Sequence, residues 1–352
     1  MKRIGNLYRR ICSIDNLNLA DAIARKGKSK QYGIHIHDKN RETNILWLHN
    51  SLLSKTYSTS KYTTFKIYEP KEREVFRLPY FPDRIVHHAI MNVLEPVFCS
   101  TFTADTYSCI KGKGIHAAAL GIKRDLRDSS GTTYCLKLDI KKFYPSVDHP
   151  ILKHLLRRKF KDQDLLWLLD EIIDSASGLP IGNYLSQYFA NFYLTYFDHW
   201  IKEQKQVRYY FRYADDLVIL HHDKSYLHVL LSDITGYLKE RLNLTVKENY
   251  QVFPVESRGI DFVGYRFYHS HTLLRKSIKQ NFARMVASRP NRLSIASYYG
   301  WCCHANCGHL LKTLLSNERI QRLSDNILPR RLHRRQNKDR PHLKSGDRGA
   351  RL

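Results

Sequence analysis

The sequence contains no uninterrupted apolar run of about 18 residues, the length a helix needs to cross a bilayer, so no helical membrane span is expected. Its opening residues, "MKRIGNLYRRICSIDN", are basic but lack the apolar stretch of a secretory signal. Seven cysteines, an odd number without the spacing of a disulfide framework, point to a reducing compartment, and a cytoplasmic location is expected. Neither an internal repeat nor a Gly/Ser linker divides the chain. Acids are scarce too: 33 Asp and Glu face 58 Lys and Arg, a formal net charge of +25. Solubility does not require so large an excess. It calls for a polyanionic partner, either nucleic acid or an anionic membrane surface. Aromatic residues at 12%, among them 23 tyrosines, favour nucleic acid, because rings stack on bases. The 352 residues are 43% hydrophobic, enough for a packed core in one large domain or a few small ones.

Short strands and helices mix along the chain without strict alternation. Residues 17–54 read as largely helical, with one extended patch at "YGIHIHD" (32–38). Residues 62–80 alternate apolar and polar and predict a hairpin, and 83–98 predict a helix with Ile85, Ala89, Val93 and Val97 on one stripe. "TYCLKLDI" (133–140) predicts a strand with Leu136, Leu138 and Ile140 on one face and Lys137 and Asp139 on the other. Residues 150–174 predict helix, and "GLPIGNYLSQ" (178–187) a loop entering a helix. In that helix Leu185, Phe189, Phe192, Tyr196 and Trp200 recur at core-packing spacing. "RYYFRYADDLVIL" (208–220) predicts a hairpin, 227–242 an amphipathic helix, 259–268 a strand pair around Gly264, and the remainder helices to about residue 325. The expected architecture is an α+β domain with an antiparallel sheet, followed by a helical module. The last segment, 329–352, carries nine Lys and Arg against two Asp and no apolar stripe. It is open to two readings, a solvated terminus or a nucleic-acid arm.

Two acids stand out. Asp215 and Asp216 lie side by side between "RYYFRY" and "LVIL", at the tip of the expected hairpin. Adjacent like charges raise each other's pKa unless a cation neutralises them. A hard divalent ion does so, taking oxygen ligands from carboxylates and from substrate phosphates. Asp139 ends another strand on its polar face. If the sheet sets that strand beside the hairpin, three carboxylates converge, and such a cluster can hold two ions ~3.5–4 Å apart for in-line phosphoryl transfer. By contrast, "CCHANCGH" (302–309) has poor spacing for zinc and sits in an expected helix, so packing explains it better.

The motifs, taken together, resemble the reverse transcriptase family. "YADD" is similar to that family's Tyr-x-Asp-Asp box, and "LDIKKFYPSVDH" (138–149) to its first palm motif. "GIDFVGYRF" resembles the primer-grip hairpin, and "PKEREVFRLPYFPDRIVHHAI" (70–90) the fingers segment. The resemblance covers roughly residues 62–268, with the motifs in family order. It implies a right-hand polymerase with an N-terminal helical segment over 1–61, fingers and palm over 62–268, a helical thumb over 269–325 and a basic tail over 326–352. Within the family, Ile181-Gly182-Asn183-Tyr184-Leu185-Ser186-Gln187 replaces the Gln-Gly-x-x-x-Ser-Pro box of enzymes like those of group II introns. That substitution resembles the reverse transcriptases of diversity-generating retroelements.

What the resemblance implies can be written residue by residue. Asp139, Asp215 and Asp216 are expected to catalyse and, with the Ile140 carbonyl, to hold two Mg²⁺ ions, for which Mn²⁺ can substitute. Tyr144 matches the steric gate that rejects ribose. Lys71 and Arg73 match residues that hold the triphosphate, a task suited to guanidinium geometry. Ile181, Gly182 and Gln187 border the nascent base pair. Isoleucine offers shape where glutamine would hydrogen-bond, and shape alone discriminates weakly. Lys247 fits either a general acid for pyrophosphate or a surface lysine. Tyr213 and Gly264 are expected at the primer. The family further implies dNTP substrates, a template RNA, a cDNA product with errors at adenines, a small basic accessory protein and a bacterial or phage-encoded origin. A group II intron maturase, a retron enzyme, or an inactive RNA-binding protein on the same scaffold are the alternatives.

Overall fold

The structure, a computed structural model, describes residues 3–68, 72–288 and 290–316. Its contacts divide the chain into two units: one joins Met1–Ala118 to Ser130–Pro254, the other joins Ala119–Ser129 to Val255–Leu352. The basic tail lies outside the described residues.

The first unit is built on a four-stranded antiparallel sheet. β3 (Tyr134–Asp139), β4 (Tyr209–Tyr213), β5 (Asp216–His221) and β6 (Gln251–Pro254) take the spatial order β4-β5-β3-β6. The β3/β5 register runs from Tyr134↔His221 to Asp139↔Asp216. Side chains alternate across a strand, so this register sorts the sheet into two faces. Leu136, Leu138, Leu217, Ile219 and Tyr210 share the face that joins the main core. Lys137, Asp139 and Asp216 share the other.

Among the helices that bury apolar residues in that same core are α7 (His149–Lys159), α9 (Tyr184–Tyr193), α10 (Thr195–His199) and α11 (Lys224–Leu242). Each boundary has a local cause. The Asp148 carboxylate accepts the Ile151 N–H at 3.1 Å and caps the start of α7. Asn243, with φ +50°, ends α11 in the left-handed conformation, which Asn tolerates. The stretch expected to be helical over 150–174 is interrupted. Ile4 pairs with the backbone there, accepting from Lys161 N at 2.8 Å and donating to Lys159 O at 2.9 Å. α8 (Gln163–Asp174) then restarts on an Asp162 cap.

Toward the N-terminus, α1 (Tyr8–Cys12), α2 (Ile14–Ala24), α3 (Tyr32–Lys39) and α4 (Arg41–Leu53) precede a hairpin of β1 (Thr63–Ile67) and β2 (Arg73–Arg77), and α5 (Ile85–Cys99) follows it. The extended patch expected at 32–38 is instead α3. Ile34 and His37, three apart, are buried while Ile36 is 49% exposed, so burial there follows a helical period rather than the alternation of the letters. The hairpin at 62–80 forms, yet β1 is exposed along its whole length. Its alternation therefore marks no buried face.

The second unit contains a three-stranded antiparallel sheet of β7 (Ile260–Phe262), β8 (Tyr265–Phe267) and β9 (Thr272–Leu274), followed by α13 (Lys276–Ser288), α14 (Arg292–Cys302) and α15 (Gly308–Leu314). β9 falls where helix was expected. No helix among the described residues is long and apolar enough to cross a membrane.

Candidate active site

The sheet sets the carboxylates together. Asp139 and Asp216 are direct register partners, and Tyr213 faces Asp216 from β4. Between them the chain reverses at Ala214 and Asp215. Ala214 adopts a left-handed φ of +55°. The Ile140 N–H donates to the Asp215 carbonyl at 3.2 Å, tying the turn to the end of β3. Burial first, then the charge of Asp139, pushes the Asp215 carboxyl up to about 6. Burial and a like-charged neighbour thus both oppose the ionised form of Asp215.

Two lysines reach the carboxylates. Residues 245–247 run beside the end of β3, with Lys141 N donating to Thr245 O at 2.8 Å and Lys247 N to Asp139 O at 2.9 Å. This edge pairing delivers the Lys247 ammonium to Asp139 Oδ1 at 2.5 Å. Lys137, one step back on the same face as Asp139, stands 3.6 Å from Asp216 Oδ2. Among the described residues no three acid, histidine or cysteine groups already form a metal-ligating cluster. With the lysine drawn onto Asp139, the donor set is all oxygen, carries adjacent like charges and attracts cations. It suits a hard divalent ion.

A second wall comes from the loop before α9. Leu179 N donates to Tyr144 O at 2.8 Å, and a Cβ at Gly178 would meet Pro145 O at 2.6 Å, so the loop is pressed onto the turn that carries Tyr144. On its other side Phe76 N, in β2, donates to the Ile181 carbonyl at 2.7 Å. Gly182 has φ +116°, and a Cβ there would lie 2.4 Å from Phe76 O. Only glycine allows that approach. The loop therefore bridges β2, which begins with the exposed Arg73, and the turn of Tyr144. Burial, then Cys109 and Asp215, hold the Tyr144 phenol well above the ordinary tyrosine range.

Gln187 is exposed on α9. Lys71 lies outside the described residues. Gly264 belongs to the second unit, in the β7–β8 turn with φ +88°. The space a Cβ would fill there is taken by Trp301 at 2.5 Å and Ile278 at 2.9 Å.

Sequence reasoning overlooked the group beneath the turn. Arg212 and Asp198 are both fully buried. The guanidinium meets the carboxylate at 2.8 Å and 2.6 Å, and Tyr210 OH and Thr106 Oγ1 donate to the same acid at 2.6 Å and 3.0 Å. Arg212 also donates to the Ala214 carbonyl at 3.1 Å. A fully satisfied charge pair thus holds the backbone of the turn at 214–216 from below. The signal was present in the letters: an Arg at an inward position of an apolar strand requires a buried acid.

A family model described as "Reverse transcriptase (RNA-dependent DNA polymerase)" matches residues 69–267, more than half of the chain. The chain belongs to the reverse transcriptase family. It is accordingly an RNA-directed DNA polymerase with an α+β fold, and such enzymes in general depend on divalent metal. This reverse transcriptase is 24% identical over 273 residues to Protein YkfC of Escherichia coli K12, covering 64% of this chain and 70% of that one. It is 25% identical over 146 residues to the group II intron-encoded protein LtrA of Lactococcus lactis, covering 38% of this chain and 24% of LtrA. It is 27% identical over 191 residues to the retron Ec73 reverse transcriptase of Escherichia coli, covering 49% and 58%. Among solved structures, a telomerase from Candida albicans matches with a TM-score of 0.49 at 14% identity, over 80% of this chain and 60% of that one.

Proposed function

We propose that this reverse transcriptase copies a template RNA into cDNA from dNTPs with Mg²⁺ as its metal, held by Asp139, Asp215, Asp216 and the Ile140 carbonyl. The observation that carries the reading is the Asp139↔Asp216 register, with Asp215 in the adjoining turn and its carboxyl raised by burial and Asp139. A bound pair of ions supplies activation of the primer hydroxyl and neutralisation of the triphosphate, and Mn²⁺ can take their place. The chain's own residues do the rest. Tyr144 presents its ring to the sugar and excludes ribose. Lys71 and Arg73 hold the triphosphate from the hairpin, Ile181 and Gly182 form the wall over the base, and Gln187 completes that box. Lys247 donates a proton to the leaving pyrophosphate. Tyr213 and Gly264 contact the primer.

Within the family, the Ile181-to-Gln187 box supports the diversity-generating type, with a template-repeat RNA, errors at adenines and a small basic accessory protein. A second lineage, group II intron or retron, is favoured by the names of the relatives. Two experiments separate these claims. Primer extension with Asp139→Ala tests the polymerase reading, which survival of incorporation would overturn. Sequencing the cDNA made by wild type and Ile181→Gln tests the subtype. Adenine-biased errors that fall in the variant support it, and an unchanged error spectrum refutes it.

A further inference from the structure

The outer side of the helical layer is not a smooth surface. A cavity of about 720 Å³ opens between α7, α10 and α11, at a π-helical turn formed by Trp200–Gln204. Two neighbouring cavities, of about 540 and 670 Å³, share its walls. His154, Arg158 and Tyr196 line the first and second, Arg3 the second and third, and His199 the first and third. The three form one continuous trough. Leu156, Phe197, Ile201 and Leu238 point the other way, into the core beneath the sheet. The helices therefore separate the trough from the face that carries the carboxylates.

The chemistry of the trough is basic and aromatic. Arg3, Arg157, Arg158, Lys159, Lys161 and Arg241 line it. Arg158 lies 4.0 Å over the ring of Tyr196, which fixes its guanidinium at the opening. Trp200 and Tyr237 pack against each other with ring centroids 4.6 Å apart and form an apolar side wall. Arg157 is paired with Asp170, but no acid among the described residues lies in ion-pair range of Arg158 or Arg241. Glu203, an acid on the wall, is turned onto His199 at 2.6 Å. Unpaired guanidinium groups in a concave, ring-walled channel complement phosphodiesters, and a strand fits such a channel where a flat lipid surface does not.

We propose that this trough is a second nucleic-acid site, which holds a single-stranded segment of RNA by its phosphates outside the catalytic cleft. The inference rests on the polymerase reading only for the choice of RNA as the polyanion. The test is fluorescence anisotropy of the full chain with a labelled oligouridylate across a salt series, in chelator and without dNTP. Each phosphate neutralised on a single strand contributes about 0.7 to the log–log salt slope. Arg158→Glu with Arg241→Glu is therefore expected to weaken binding at least about tenfold and to flatten the slope by about 1.4. Arg158→Lys with Arg241→Lys, which keeps the charge, retains the slope. Arg241→Glu alone, on an exposed side chain, lowers the slope by about 0.7 and decides the matter if the double variant does not fold. Wild-type affinity and slope in the charge-reversed proteins overturn the proposal, leaving the trough to another class of partner. Asp139→Ala primer extension bears on the polymerase reading and leaves this measurement untouched, so the two fail separately.

Discussion

Asp215→Asn is expected to stabilise the metal-free protein while ending nucleotide incorporation. Burial and the neighbouring charge of Asp139 raise the Asp215 carboxyl from 3.8 to about 6. Between those two values the folded chain binds more proton than the unfolded chain, so stability falls as pH rises through that window. Above about 6 the whole cost is present. A shift of about two units at ~1.36 kcal/mol each comes to about 3 kcal/mol. Asparagine carries no charge, so at pH 8 the variant should gain up to about that much, and well below pH 4 almost nothing. Urea unfolding in chelator at both pH values measures the difference. Adding magnesium should then raise the wild-type midpoint and move the variant less, because the ion binds the charged site and linkage rewards the folded state. A variant no more stable than wild type at pH 8, or a gain equal at both pH values, would refute the electrostatic account of the turn.

Three further changes probe other parts of the site. Arg212→Leu strands the buried Asp198 carboxylate and should cost about 3–5 kcal/mol in urea unfolding, with Arg212→Leu/Asp198→Leu recovering most of the loss; a cost under about 1 kcal/mol would deny the pair its role. Gly182→Ala places a methyl group against Phe76 O at a φ that disfavours side chains. It should displace the loop from β2 and raise KM for dNTP more than it lowers kcat in steady-state incorporation, whereas unchanged kinetics would detach the loop from nucleotide binding. Lys247→Ala should slow single-turnover incorporation by about 10²-fold as a lost general acid; a wild-type rate would leave Lys247 only as the partner of Asp139.

Periodicity and charge made much of this legible in the letters. The alternation in "LKLD" placed Lys137 and Asp139 on one face, and β3 has that arrangement. The expected hairpin at 208–220 is present with the acids at its reversal. Two kinds of information were not local enough to read. Ile34 and Ile36 look equivalent in an alternating string, and only the distant surface that covers Ile34 decides between helix and strand. Likewise, Tyr196 and Trp200 continue the stripe of Leu185, Phe189 and Phe192 and read as core. Both do pack against the core, but they are only half-buried and also border the trough, while the π-helical turn that begins at Trp200 leaves Ile201 fully buried.

The turn at 214–216 also explains why the site can keep its charges together. Two carboxylates that repel would gain by moving apart, and an exposed hairpin tip would let them. Here three constraints oppose that motion. Arg212 holds the Ala214 carbonyl from within the core, Ile140 N–H holds the Asp215 carbonyl from β3, and β5 is zipped to β3 up to the Asp139↔Asp216 pair. Each constraint is anchored in buried structure, where packing is dense and resists displacement. Burial and the retained repulsion from Asp139 therefore show together as a raised Asp215 carboxyl pKa, and the repulsion is not released as movement. Under the proposed metal reading, a site built this way meets its cation without first reorganising, the condition that preorganised electrostatics sets.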